Sequence, residues 1–152
     1  MTALPDPLAA RRCQFPKKPD WTWLRWYWQG MPRFYEGLSL AAVASLEGDQ
    51  LACLATPYSY SEDGPELGAD CAGAWMQDLA AAGIMTISPA FMAGWAGRKE
   101  AQPAPAVRVS DCVVVPPAVG WQEASDVWEA VCLALAAVKP VYLLKGCSDA
   151  VD

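Results

Sequence analysis

The chain contains no histidine, so it has no imidazole base, no His-based metal site and no Ser-His or Cys-His nucleophilic pair. Two carboxylates, Glu123 and Asp126, stand three residues apart in a segment of helical spacing, and with position 130 they form a row along one flank of that helix. At the rise of an α-helix, Asp126 is about 6 Å and Glu123 about 10 Å from position 130 along the axis. The residue there is Ala130. Glu129 is adjacent, but it lies about 180° from the apolar stripe Val127, Val131, Ala134 and Val138, which reads as a solvated surface acid. Asp111 opens the apolar run DCVVV, and Tyr58 follows the run LACLATP. Each has a structural use as well. Asp favours turns before strands, and acids in a first helical turn complement the helix dipole.

The elements that must hold these residues alternate between strand and helix. LACLAT, IMTIS, DCVVV and PVYLL are short apolar runs of the kind that forms parallel strands buried on both faces. Between the first two, Pro65 suits the first position of a helix and Glu66 its first turn. Leu67, Cys71, Ala74, Trp75, Leu79 and Ala82 keep helical spacing, and Gly83 provides the stop. A helix near Glu123 to Val138 separates the last two strands. Ala96 to Ala106 reads as a polar, Pro-broken connection, and Phe34 to Leu46 as a helix with a small-residue face. The pattern predicts an α/β fold, a Rossmann-like or flavodoxin-like three-layer sandwich with a mainly parallel sheet of four to five strands. Ligands in such sheets bind at the carboxyl ends of the strands. The loops after Thr56, Ser88 and Val115 are therefore where a site is expected.

LATPYSYS, AAGIMTISP and the SDCVVV…GW…KPV series, in that order, resemble an uncharacterised bacterial and phage family of the nucleoside 2-deoxyribosyltransferase-like superfamily. The resemblance covers residues 50 to 145. It implies cleavage or exchange of an N-glycosidic bond of a nucleoside or nucleoside monophosphate without a metal or other cofactor. A helix Glu would act as nucleophile and a second acid would assist the leaving base, a logic shared with retaining glycosidases. On this resemblance Pro57, Tyr58 and Ser59, Pro89, Gly120 and Trp121, and Ser125 are substrate-binding candidates. Asp111 is the candidate acid. The nucleophile's place falls on Ala130, leaving Asp126 or Glu123 to take over the role. The alternative is a catalytically degenerate protein that binds a nucleotide, or an oligomeric interaction protein.

Composition narrows the remaining classes. With 152 residues and 54% hydrophobic content the chain is of one-domain size and too apolar for overall disorder. The net charge of −6 conceals a basic first 35 residues, six bases against two acids, and an acidic remainder, five against fifteen. An acidic body argues against nucleic acid as a partner, and the basic arm is expected to lie on its own or a neighbouring body. Residues 1–48 thus read as a basic, Trp-rich extension, 49–146 as the α/β domain and 147–152 as a tail. The six cysteines contain no CxxC pair and read as reduced, buried hydrophobes. No apolar leader opens the chain, and Leu79 to Gly97 is uncharged but divided by Gly83 and Ser88-Pro89, so a cytoplasmic, soluble protein is expected. WTWLRWYW, Trp21 to Trp28, has no polar face under alternation, so its period does not decide between strand and helix. It is expected to pack on the core or to join copies into a homo-oligomer, in preference to stacking on bases. No GxGxxG, Walker A or GxSxG pattern occurs.

Overall fold

The computed structural model describes residues 14–47, 49–58 and 65–147. Five strands form one all-parallel sheet. In chain order the elements are α1 (Trp21–Tyr27), β1 (Phe34–Leu38), α2 (Leu40–Glu47), β2 (Leu51–Leu54), α3 (Pro65–Ala81), β3 (Met85–Ile87), α4 (Pro89–Trp95), α5 (Pro103–Val109), β4 (Cys112–Val115), α6 (Ser125–Ala136) and β5 (Val141–Leu144). The sheet order is β1-β5-β4-β2-β3. From β2 the chain steps outward to β3, then returns across β2 to β4, so the winding reverses between β2 and β4. This is the doubly wound arrangement, with the N-terminal strand β1 in the edge place that a last strand would take.

The central strands are buried on both faces because nearly every residue in them is apolar. Cys53, Val113, Val115, Val141 and Leu143 point into one core, with Val127, Val131 and Leu135 of α6 and Trp21, Leu24 and Trp28 at α1. Ala52, Leu54, Cys112, Val114, Tyr142 and Leu144 point into the other, against Val43 of α2 and Leu79 of α3. Alternation along each strand thus assigns its residues to the two faces of the sandwich.

Four local expectations are corrected. Phe34 to Leu46 is a strand followed by a helix, since β1 pairs with β5 from Phe34↔Val141 to Leu38↔Leu144. The sheet therefore crosses the compositional boundary at residue 48. Register shifts between Glu36 and Leu38, and Gly37 between them has φ +77°, a value that favours glycine. This irregularity erases the alternation that would have marked the strand. The Pro-broken connection contains a helix, α5, with Pro103 in its opening turn. Its last carbonyls, Val107 and Arg108, accept from Lys139 Nζ at 2.7 and 3.0 Å, a favourable cation at a helix carboxyl end. The segment after Ser88 is α4, N-capped by Ser88 Oγ, which accepts from Phe91 N at 3.0 Å. Finally, α3 is rotated from its expected face, because Leu67 and Ala74 are exposed while Ala72 and Leu79 are buried.

The Trp-rich segment is a helix. Asp20 caps it, accepting from Trp23 N at 3.0 Å, and Trp21, Leu24 and Trp28 fall on its buried side at helical spacing. Trp21 meets Trp121 and Trp128 edge-on at ring separations of 4.8 and 5.0 Å. Its indole N–H donates to the Gln122 carbonyl at 2.8 Å. Trp128 in turn donates to Pro16 O at 2.8 Å, and Phe15 stacks on Trp28 at 5.7 Å. Edge-to-face pairs add about 0.5–1.5 kcal/mol beyond their burial. The abundance of Trp therefore serves the chain's own core, and the arm from residue 14 onward lies on its own body. Trp26 and Trp95 alone stay largely exposed among the tryptophans. No helix among the described residues is long and apolar enough to cross a membrane.

Candidate functional site

The reversal of winding between β2 and β4 opens the crevice where doubly wound sheets hold ligands. The side chains there come from the loop after β2 and the first turn of α6. Leu54, Ala55 and Thr56 form one wall, Asp126 and Ala130 another, and Pro89, Ala101 and Pro103 close it. The free space is about 10 Å³, room for about one water or one hydroxyl.

Asp126 is the acid in this crevice. Its Oδ2 accepts from Tyr58 N at 3.0 Å and its Oδ1 from Val127 N at 2.9 Å. The residue before the helix, Ala124, supplies no side-chain cap, so the Asp126 carboxylate is the anion at this positive helix end. One turn on, the Ala130 methyl faces the same space. Thr56 completes the site. It is only 4% exposed and its hydroxyl has no hydrogen-bond partner. A buried hydroxyl left unbonded costs stability, which sets Thr56 apart from the paired groups around it. Sequence reasoning located the loop after Thr56 but missed the residue. Its signal was a hydroxyl immediately beyond an apolar strand, at the strand's carboxyl end.

Beside the crevice is a larger groove of about 270 Å³ between α4 and α5, next to the carboxyl end of β3. Ile87, Met92, Ala93, Ala96, Pro105 and Ala106 supply its apolar walls. Arg98, Glu100 and Gln102 supply its polar groups. Pro89 lines both spaces, and the segment 100–103 leading into α5 divides its residues between them. Glu100 and Gln102 face the groove, while Ala101 and Pro103 face the crevice.

The other sequence candidates are placed as follows. Asp111 lies at the amino end of β4, where its carboxylate accepts from Leu51 N at 2.9 Å and its own N–H donates to Leu51 O at 2.7 Å. It fastens β4 to β2 at the edge opposite the crevice, about 13 Å away for four residues of strand. Its expected role as acid beside Asp126 is therefore corrected. Glu123 is exposed in the turn before α6 and lines neither space. The helix begins at Ser125, so the row that joins Glu123 to Asp126 and position 130 is broken. Tyr58 contributes its backbone, not its ring. The ring is 2% exposed among Ala72, Ala90 and Ala93, and its hydroxyl donates to Arg98 O at 2.5 Å.

Pro57 is buried behind the loop. Gly120 takes φ +81° in the turn before α6, and Trp121 is 2% exposed against Trp21. Ser125 lines a separate outer groove with Phe15, Lys17 and Trp128, on the far side of α6 from the crevice. Ser59, with Glu62 and Asp63, lies outside the described residues, as do the arm before residue 14 and the tail after residue 147. Of the sequence candidates, the crevice brings together Asp126, Pro89 and the Tyr58 backbone.

No thiol among the described residues lines the crevice or the groove. Burial pushes Cys53, Cys112 and Cys147 up to about 12 from an ordinary 9.0, which leaves them protonated and unreactive near neutrality. Cys147 belongs to the core, its Sγ 3.4 Å from Val115 O. No cluster of metal-ligating side chains occurs among the described residues. The chain matches no protein-family model, no curated protein and no solved structure.

Proposed function

We propose that the protein binds a nucleoside or nucleoside monophosphate at the carboxyl edge of its sheet and does not cleave the glycosidic bond. One observation carries the proposal. The unpartnered Thr56 hydroxyl and the Asp126 carboxylate line one crevice at the reversal point of a doubly wound sheet, alongside a groove of about 270 Å³. A nucleoside matches this pairing of spaces. Its flat base suits the apolar groove, and one sugar hydroxyl suits a crevice that admits little more than a water. A threonine hydroxyl both donates and accepts, and a carboxylate accepts, so the two groups suit a sugar hydroxyl.

Cleavage is the less supported reading. Retaining chemistry needs two carboxylates about 5–5.5 Å apart across the scissile bond. Among the described residues the crevice has one, Asp126, with Ala130 one turn further along α6.

Titration calorimetry with nucleosides and their monophosphates tests the reading. Saturable binding is expected, weakened in Thr56→Val and Asp126→Asn, with no free base released on prolonged incubation. Thr56→Val should keep or raise the melting temperature, because it replaces an unbonded hydroxyl with a methyl of the same shape. Absence of binding by the whole panel rejects the proposal, and release of free base restores the enzyme.

A further inference from the structure

We infer that the groove between α4 and α5 reads the base and selects guanine. The inference rests on the nucleoside reading, and it concerns which base enters. The walls suit a planar ring on both sides. Met92 of α4 and Ala96 at its carboxyl cap line the groove together with Pro105 and Ala106 of α5, and a methionine thioether adapts to an aromatic surface. Apolar walls of this kind hold any base and choose none.

Choice comes from the polar residues. Among the described residues Glu100 is the only acid lining the groove, and an ionised carboxylate only accepts hydrogen bonds. Its two oxygens match a ligand edge with two adjacent N–H donors. Guanine carries that edge in N1–H and its exocyclic amine. Adenine offers an amine beside a bare ring nitrogen, and cytosine does the same. Uracil and thymine offer one N–H between two carbonyls, which would face the carboxylate with their oxygens. Guanine also carries an acceptor, O6, next to its donors. The Arg98 guanidinium donates to Gln102 Oε1 at 3.4 Å, which leaves the Gln102 NH2 to donate to that oxygen. The main chain of Arg98 is held by the Tyr58 hydroxyl, so one end of the reading segment is tied to the loop that forms the crevice.

The segment's geometry couples the two spaces. Alternate residues of 100–103 line groove and crevice, and Pro89 lines both, so a base against Glu100 and Gln102 stands beside the crevice that holds Thr56. The acceptor and donor on this rim therefore define specificity, while the crevice defines the class of ligand.

Calorimetry with guanosine, inosine, adenosine, cytidine and uridine tests this on the full chain and on Glu100→Gln. Glu100 is exposed, and its replacement should leave the melting temperature unchanged. Guanosine is expected to bind at least about tenfold more tightly than adenosine, in line with the discrimination of a bidentate base contact. Inosine, which lacks the amine, should fall between them. Glu100→Gln should bring guanosine down to the inosine level while adenosine binding holds. Equal binding of all five nucleosides, or an unchanged guanosine preference in Glu100→Gln, overturns the base selection and leaves the nucleoside reading standing. Binding of none overturns both.

Discussion

The carboxylate of Asp126 accepts a hydrogen bond from the main-chain N–H of Tyr58 at 3.0 Å, which ties the first turn of α6 to the loop after β2. The same acid that faces the crevice therefore also holds its two walls together. Asp126→Ala should cost about 1–3 kcal/mol of folding stability, as expected when a charged acceptor is taken from a buried donor, and nucleoside binding with it. Asp111→Ala should also destabilise, by loss of its bond to Leu51 N, but leave binding intact. Denaturant titrations and calorimetry on the two variants separate these outcomes. Equal loss of binding in both would deny that Asp111 is remote from the site.

Helices α3 and α4 meet where a side chain has no room. A Cβ placed on Gly94 would lie 2.3 Å from Ala69 Cβ. Gly94→Ala should therefore force the helices apart and destabilise by about 1–3 kcal/mol. Because α4 forms one wall of the groove, guanosine affinity should fall too. An unchanged melting temperature would contradict the close packing.

The indole cluster predicts a larger effect. Trp128 meets Trp21 edge-on and bonds Pro16 O, so its removal opens a cavity and releases the segment before α1. Trp128→Ala should cost about 3–5 kcal/mol. Limited proteolysis should then cut near residues 14–20 first. If the arm is held by other contacts, the cleavage pattern will not change.

Alkaline pH should weaken the fold. The buried thiols of Cys53, Cys112 and Cys147 titrate at about 12, against 9.0 when exposed. A raised pKa means that the unfolded chain releases these protons first. The stabilising effect is complete below pH 9 and is lost as pH rises from there through 12. Thermal melts should hold steady to about pH 8.5 and fall progressively above it. Cys53→Ala should make the fall shallower without removing it. A flat profile to pH 11 would contradict the burial of the thiols.

The sequence made the middle of the molecule legible and its margins obscure, for physical reasons. LACL, CVVV and VYLL are continuous apolar runs because both faces of a central parallel strand are covered, and such runs have few other uses. FYEGL was hidden because an edge strand tolerates exposed Tyr35 and Glu36, and Gly37 breaks its register. Helices α4 and α5 were hidden behind prolines that open them instead of breaking them. The misplacement of Asp111 was avoidable. A residue that opens a parallel strand stands at the amino edge, whereas ligands gather at the carboxyl edge. Thr56 was harder to recognise, since only burial without a partner distinguishes it from any threonine in a loop.

The edge position of β1 bears on how the chain is made. Its partner is β5, the last strand among the described residues, and α1 packs on Trp121 and Trp128 in the same late part of the sequence. During synthesis α1 and β1 therefore wait for partners that emerge about a hundred residues later. The β2–β4 centre can assemble while translation proceeds, but the tryptophan-rich stretch stays uncovered until Trp121 and Trp128 emerge, and β1 stays unpaired until β5 does. Such a delay invites chaperone capture, and its length is set by the speed of translation.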